Sequence, residues 1–182
     1  MSQKTKKLSF CALMAALCAV CAQITVPMPN GVPVTLQVFA VALTGYLLGP
    51  KYGAAAVLSY LLLGAVGAPV FSAFRGGAYM LVGRTGGYLW GFLPMAAVCG
   101  LSYIGHGKVL RWFWGVPALL LCHLCGTLQN MILAGGGFWA LLAVYSLPYL
   151  VKDLVCVAVA AALAARLRPQ LDRYFTPSKK RA

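Results

Sequence analysis

The sequence predicts an all-α integral membrane protein: one domain over residues 1–182, six transmembrane helices, both termini cytoplasmic, and a glycine-rich external loop between helices three and four. Hydrophobic residues make up 62% of the 182 residues and charged residues only 9%, against about a quarter charged in a soluble domain. The mean hydropathy is +0.84. This composition excludes a water-soluble globule. It also excludes a disordered polybasic nucleic-acid binder, although the net charge is +13.

Long apolar segments place the spans, because a helix that crosses a bilayer needs about 20 mostly apolar residues. The predicted spans are residues 8–26, 38–48, 54–66, 86–104, 113–133 and 147–167. The second is short, and its apolar character allows a start as early as Thr35. We expect the first to be a spanning helix rather than a cleaved signal peptide. Its apolar stretch is long, and residues 26–29 offer no small-x-small cleavage site.

The cations set the orientation, since cytoplasmic loops carry the excess of Lys and Arg. With six spans, twelve of the 15 cations fall on one side: Lys4, Lys6, Lys7, Lys51, Lys108, Arg111, Arg166, Arg168, Arg173, Lys179, Lys180 and Arg181. Both termini are then cytoplasmic. The external segments 27–37 and 134–146 contain no charge, and we expect them to be loops.

Three cations, Arg75, Arg84 and Lys152, fall instead at the external ends of the helices, together with Asp153. Ionisable residues at membrane depth usually mark a ligand or ion path. A simpler alternative is that these cations extend to the external headgroups. A positive surplus beside apolar and aromatic side chains suits a small organic anion, and the arginine fork suits a carboxylate. Asp153 would accept N–H bonds from the other end of the ligand or pair with an arginine.

Three external segments are expected to enclose such a ligand. Residues 67–88 contain Pro69 and glycine pairs, so we expect a non-helical segment, which membrane depth tolerates only where it lines a cavity or is buried in protein. Residues 26–37 contain three prolines and are expected to form a rigid lid that ends at Gln37, whose amide faces the ligand or makes an interhelical bond. Residues 135–137 form a glycine hinge, with Asn130 one turn before it.

No motif indicates an enzyme, a metal site or an energy source. The sequence contains no complete phosphate-binding loop, HExxH or G-x-S-x-G pattern. The pairs Cys18/Cys21 and Cys122/Cys125 have the spacing of zinc ligands, but they lie in apolar runs, where cysteine behaves as a small hydrophobe. His123 lies inside the second pair with no carboxylate near it in sequence, so no catalytic role is expected.

The first helix offers a candidate docking face. Ala12, Ala15, Ala16 and Ala19 form overlapping small-xxx-small pairs, and small residues let helices approach closely in lipid. The face either docks onto another membrane protein or packs within the bundle. The basic tails are interpreted first as topology signals and second as contacts for anionic lipid.

Several sequence strings resemble the BioY family, the biotin-specific S-components of energy-coupling-factor (ECF) vitamin transporters. They are residues 32–37 (VPVTLQ), 47–53 (LLGPKYG), 63–71 (LGAVGAPVF), 85–92 (TGGYLWGF) and 148–149 (PY) with Asp153. The resemblance implies a six-helix S-component fold that binds biotin near the external face. It also implies a transmembrane coupling subunit and two cytoplasmic ATPases as partners, with no cofactor in this chain and the alanine face of helix one as the docking feature.

The loops and the resemblance together give one set of candidate ligand residues. The set is Gln37, Phe74, Arg75, Gly76, Gly77, Arg84, Thr85, Gly86, Gly87, Tyr88, Asn130, Tyr149, Lys152 and Asp153.

Two positions depart from the family pattern. Arg84 stands where the family often has proline, and Cys156 stands where helix six often has a lysine, with Lys152 directly before Asp153. We hypothesise that Arg84 or Lys152 supplies the missing positive charge. Two other functions stay open from the residues alone. One is a stand-alone secondary transporter for an organic anion or another vitamin, with Asp153 as a proton site. The other, an intramembrane enzyme that uses Cys and His, is disfavoured because these residues are scattered along the chain.

Overall fold

A computed structural model describes residues 2–102 and 108–175. The elements in chain order are α1 (Gln3–Gln23), β1 (Thr25–Val26), β2 (Val34–Thr35), α2 (Gln37–Ala65), a 3₁₀ turn (Ser72–Phe74), α3 (Tyr79–Val82), α4 (Gly86–Leu101), α5 (Lys108–Ala134), α6 (Phe138–Tyr145) and α7 (Leu147–Phe175). In the described ranges, three segments are long and apolar enough to cross a membrane by length and composition alone: Gln3–Gln23, Phe113–Ala134 and Gln37–Ala65, the last of which is bent at Gly49 into two shorter arms. The predicted all-α membrane architecture is confirmed.

Helix α2 is a tight hairpin of two helical arms, residues 37–48 and 50–65. Gly49 has φ 77° and ψ 177°, a backbone conformation that favours glycine, and Pro50 then starts the second arm. The Nε2 of Gln37 donates to the hydroxyl of Tyr60 at 2.7 Å, whereas an uninterrupted helix would separate these residues by about 35 Å. The arms therefore run antiparallel, and they correspond to the second and third predicted spans.

Close approach of the helices follows from small residues at the contacts. A Cβ added at Gly45 would collide with the backbone carbonyl of Ala96 on α4. A Cβ at Gly91 of α4 would lie 2.9 Å from the Cα of Cys122 on α5. Helices in lipid associate mainly by packing, so such glycines bring the backbones together. In this way α4 packs between α2 and α5.

One end of the bundle gathers the cationic chain segments. Lys6 at the start of α1 donates to the backbone carbonyl of Tyr174 near the end of α7. Lys7 lies over the ring of Tyr52 beside the α2 turn, 5.1 Å from its centroid. The start of α1, the turn of α2 and the end of α7 thus lie together. Because cations mark the cytoplasmic side, we expect this end to be cytoplasmic.

The external segments contain more regular structure than the sequence suggested. Segment 134–146, expected to be a loop, contains α6, because its apolar run is long enough for a helix but too short to span. Segment 67–88, expected to be non-helical, contains α3. The first external segment forms a small antiparallel ribbon in which Thr25 pairs with Thr35 and Val26 with Val34. Of the predicted span 86–104, residues 103 and 104 lie outside the described residues.

Candidate ligand-binding site

A cavity lies at the external end of the bundle, under the first and second external segments. Its lining residues come from these segments and from α2, α3, α4, α5, α6 and α7: Val32, Pro33, Thr35, Gln37, Val38, Phe71, Ser72, Met80, Thr85, Tyr88, Leu89, Phe92, Cys122, His123, Tyr145, Tyr149, Lys152 and Asp153. The cavity volume is about 60 Å³, less than the roughly 300–1,000 Å³ of ligand pockets. An organic ligand therefore requires some of the lining to move apart.

The cavity contains a cluster of charged and polar groups around Asp153, which is only 3% exposed. Lys152 contacts Oδ1 of Asp153 as an ion pair, although Oδ1 has no hydrogen-bond donor among the described residues. Nε2 of His123 lies 3.2 Å from the other carboxylate oxygen, Oδ2. Nζ of Lys152 also donates to the backbone carbonyl of Thr35 at 2.7 Å. Buried charges are stable only when paired in this way.

Gln37 has both ends of its amide occupied. Its Nε2 donates to the hydroxyl of Tyr60, and its Oε1 accepts from the hydroxyl of Thr35 at 2.9 Å. The Tyr60 hydroxyl in turn contacts the carbonyl of Val70 at 3.2 Å. Gln37 therefore lines the cavity and also makes the interhelical bond that the sequence analysis left as the alternative.

Two tyrosines tie the cavity to the segments that cover it. The hydroxyl of Tyr149 contacts Oδ1 of Asn30 at 2.9 Å and the backbone carbonyl of Val32. The hydroxyl of Tyr88 donates to the carbonyl of Tyr145, at the end of α6. Since α4 and α7 hold these tyrosines from below, the first external segment and α6 are anchored over the cavity.

Six of the predicted ligand residues line this cavity: Gln37, Thr85, Tyr88, Tyr149, Lys152 and Asp153. Eight do not: Phe74, Arg75, Gly76, Gly77, Arg84, Gly86, Gly87 and Asn130. The ligand role of these residues stays a prediction, but their placement shows what each one contacts here.

The glycines outside the lining serve packing. A Cβ at Gly76 would collide with the backbone carbonyl of Ala68, and one at Gly86 with that of Leu81. A Cβ at Gly87 would lie 2.5 Å from the carbonyl oxygen of Cys125 on α5. Gly76 thus allows close packing within the segment itself, and Gly86 and Gly87 let α4 pack closely on its neighbours.

The two external arginines are exposed at the rim. Arg84 reaches the first external segment, since a Cβ added at Gly31 would lie 3.9 Å from its Nη1. Its backbone carbonyl accepts from Nδ2 of Asn130, which is buried beneath the rim. Phe74 is 71% exposed and does not line the cavity. Within the described ranges neither Arg75 nor Arg84 forms an ion pair.

Sequence reasoning missed His123 as a member of the site. Its partner Asp153 lies 30 positions away on another helix, and proximity in sequence cannot show such a contact. A usable signal was present, because a histidine in a transmembrane segment usually faces the bundle interior. As to metal binding, no three His, Cys, Asp or Glu side chains meet in the described part of the chain. The cysteines there, Cys18, Cys21, Cys122 and Cys125 included, are free.

The four alanines of the predicted docking face line a shallow groove between α1 and the second arm of α2. Its other walls include Ser59 and Leu63. Ala12 and Ala16 are exposed, Ala19 is half-buried, and Ala15 is buried against the bundle.

The fold and the cavity define a multi-pass protein of the cell membrane with a covered, cation-containing cavity at its outer end. The chain matches the BioY family over residues 1–173. It therefore belongs to the BioY family.

Named relatives and a solved structure agree with this assignment. The chain is 42% identical over 165 residues to the probable biotin transporter BioY of Pyrococcus horikoshii, covering 91% of this chain and 98% of that protein. It is 42% identical over 158 residues to the biotin transporter BioY of Thermotoga maritima, covering 86% and 92%. A crystal structure of the S-component for biotin from an ECF-type ABC transporter superposes with a TM-score of 0.85 at 24% identity, covering 96% of this chain and 97% of that one. This last likeness establishes the S-component fold.

Proposed function

We propose that this chain binds biotin at the outer face of the membrane and takes it into the cell as the S-component of an ECF-type transporter. The observation that carries the proposal is the covered cavity at the external end, where Lys152, Asp153 and His123 meet among apolar walls. The family membership and the names of the relatives support the same substrate. The role is binding and transport rather than catalysis.

The chemistry of the cavity suits biotin, which has a cyclic urea at one end and a carboxylate at the other. Asp153 offers acceptor oxygens to the urea N–H groups. Phe71, Met80 and Phe92 form apolar walls for the rings and chain. A carboxylate suits Lys152 within the cavity, or Arg84 at its rim, where the guanidinium lies beside the first external segment.

The proposal also includes partners that energise uptake. A transmembrane coupling subunit would pack on the groove that contains Ala12 and Ala16, because exposed small residues allow a close helix contact in lipid. Two cytoplasmic ATPases would use ATP on behalf of the complex. This chain then needs no cofactor of its own, and biotin is its cargo.

Retention and binding of biotin by the purified protein provide the first test. We expect mass spectrometry of small molecules released from the purified chain to find biotin, and titration to give saturable binding. Release of riboflavin or thiamine instead would contradict the substrate and leave the class of protein intact.

A docking variant tests the partners. Ala16→Leu fills the groove, so we expect loss of ATP-dependent uptake in proteoliposomes that contain all subunits, while biotin binding is kept. Ala162→Leu, at an exposed alanine of α7, is the matched control and should keep both. Equal uptake by the two variants would contradict the proposed docking face.

The His123–Asp153 contact gives some support to a second function, a stand-alone transporter in which the pair takes up a proton. Uptake by proteoliposomes containing this chain alone, driven by a pH gradient, would favour that function. Uptake that requires the ATPases would favour the first.

A further inference from the structure

His123 has one ring nitrogen engaged and one without a partner. Nε2 lies within hydrogen-bond distance of Asp153 Oδ2, whereas the buried Nδ1 has no partner in residues 2–102 and 108–175. The side chain as a whole is 4% exposed and belongs to the cavity lining. A buried polar atom left without a hydrogen bond costs roughly 1–3 kcal/mol, so this nitrogen calls for an explanation.

The contact with Asp153 assigns the proton on the ring. Asp153 forms an ion pair with Lys152, and the carboxylate of such a pair accepts hydrogen bonds and donates none. The proton of a neutral imidazole therefore lies on Nε2. Nδ1 then carries a lone pair and is a hydrogen-bond acceptor.

The described side chains that contact His123 donate no hydrogen bond to its Nδ1, so a donor would come from the cavity. The ring of Tyr88 meets it edge-on, with centroids 5.8 Å apart, and the Tyr88 hydroxyl is already committed to the carbonyl of Tyr145. The ammonium group of Lys152 contacts Asp153 and the Thr35 carbonyl, and no hydrogen bond joins it to Nδ1 of His123 in the described residues. A donor for Nδ1 then comes from the cavity, either as a water molecule or as an N–H group of the ligand that displaces it.

We infer that His123 is a ligand-recognising residue whose Nδ1 accepts a hydrogen bond from one N–H of the cyclic urea. Asp153 then accepts from the other N–H. Two acceptors on adjacent helices select a ring with two N–H donors, which makes the pair a determinant of specificity. This inference rests on the proposed function, since it names the biotin group that His123 contacts.

Two substitutions distinguish a direct contact between His123 and the ligand from a role of His123 in positioning Asp153. His123→Gln keeps an N–H donor near the position of Nε2 but has no acceptor at the position of Nδ1. His123→Asn keeps an acceptor near Nδ1 but does not reach Asp153. The ligands are biotin and two analogues in which one or the other urea N–H is replaced by a ring oxygen. Leu120→Ala, at an exposed position of the same helix, is the control.

We expect His123→Gln to weaken biotin binding roughly 5- to 150-fold, the loss that follows from one unpaired buried donor. One of the two analogues lacks the urea N–H that would donate to Nδ1 of His123. This analogue should bind the wild type and His123→Gln with equal affinity. Leu120→Ala should bind all three ligands like the wild type, and thermal unfolding checks that each variant is folded.

Two results would overturn the inference: His123→Gln binding biotin as tightly as the wild type, or losing the same factor for all three ligands. His123→Asn weakening every ligand while His123→Gln weakens none would likewise assign His123 only a role in positioning Asp153. If His123→Gln fails to fold, the affinities of the wild type for biotin and the two analogues still test the inference. Equal affinity for all three ligands would refute the contact between His123 and the urea N–H. A wild type that binds no biotin would overturn the proposed function itself.

Discussion

Removing the charge of Lys152 tests whether its ammonium group stabilises the buried carboxylate of Asp153. Lys152 contacts Asp153 and donates to the carbonyl of Thr35, so it joins α7 to the strand that precedes α2. Lys152→Met keeps most of the side-chain volume and removes the ammonium group. Asp153, 3% exposed, is then left as a buried carboxylate with only His123 beside it.

The expected loss of stability follows from that burial. Breaking a buried ion pair by removing one partner typically costs 3–5 kcal/mol. Because His123 still contacts Oδ2 of Asp153, we expect the lower end, about 3 kcal/mol. For a chain of this length, a shift of roughly 2–4 °C per kcal/mol predicts a lower midpoint of thermal unfolding by about 6–12 °C.

The assay is thermal unfolding of the ligand-free protein in detergent, with a double variant as the decisive comparison. Lys152→Met combined with Asp153→Asn removes both charges and should recover more than half of the lost stability. Lys51→Met, at an exposed lysine of the α2 turn, should leave the midpoint within about 1–2 °C of the wild type, since exposed substitutions usually change stability by under 0.5 kcal/mol.

A double variant that is less stable than Lys152→Met would refute this reasoning. Such a result would mean that Asp153 stabilises the bundle through contacts that do not depend on Lys152. The charged cluster would then be a structural support of the helices rather than a paired site that a ligand can enter.

Two further predictions concern the rim and the helix packing. Arg84→Ala should weaken biotin binding roughly 10- to 150-fold, the value of one charge-assisted hydrogen bond. A biotin amide that lacks the carboxylate should bind this variant and the wild type equally, and Arg75→Ala serves as the comparison. Unaltered affinity in both Arg84→Ala and Lys152→Met would rule out the relocated charge. Gly45→Ala should destabilise the protein by roughly 1–3 kcal/mol in thermal unfolding because its Cβ meets the Ala96 carbonyl. Gly137→Ala, where no atom lies within 4 Å, should have little effect, and equal stability of the two variants would contradict the packing argument.

The sequence predicts the membrane architecture because that part rests on composition. Hydrophobic length locates the spanning segments, and the cations at Lys6 and Lys7 locate the cytoplasmic end. The break at Gly49–Pro50 was also readable, because a glycine–proline pair between two apolar runs favours a turn. The exception to the charge pattern pointed to Lys152 and Asp153, and both line the cavity.

The remaining features depend on helix rotation and tilt, which hydropathy does not determine. Arg84 and Lys152 share a membrane level, yet Lys152 faces the cavity and Arg84 lies at the rim. The contact between His123 and Asp153 needs α5 and α7 at one particular rotation. The glycine-rich strings suggested a ligand loop, whereas Gly86 and Gly87 pack against neighbouring backbone. Small residues have the same appearance in sequence whether they admit a ligand or another helix.

The cover of the cavity is held by the same side chains that a ligand would engage. Lys152 bonds the carbonyl of Thr35, and Tyr149 contacts Asn30 and Val32. All three contacted residues lie in the first external segment or at its end. A ligand group that takes a hydrogen bond from Lys152 or Tyr149 therefore competes directly with the anchoring of that segment. Because the cavity holds only about 60 Å³, we expect ligand entry to displace this segment.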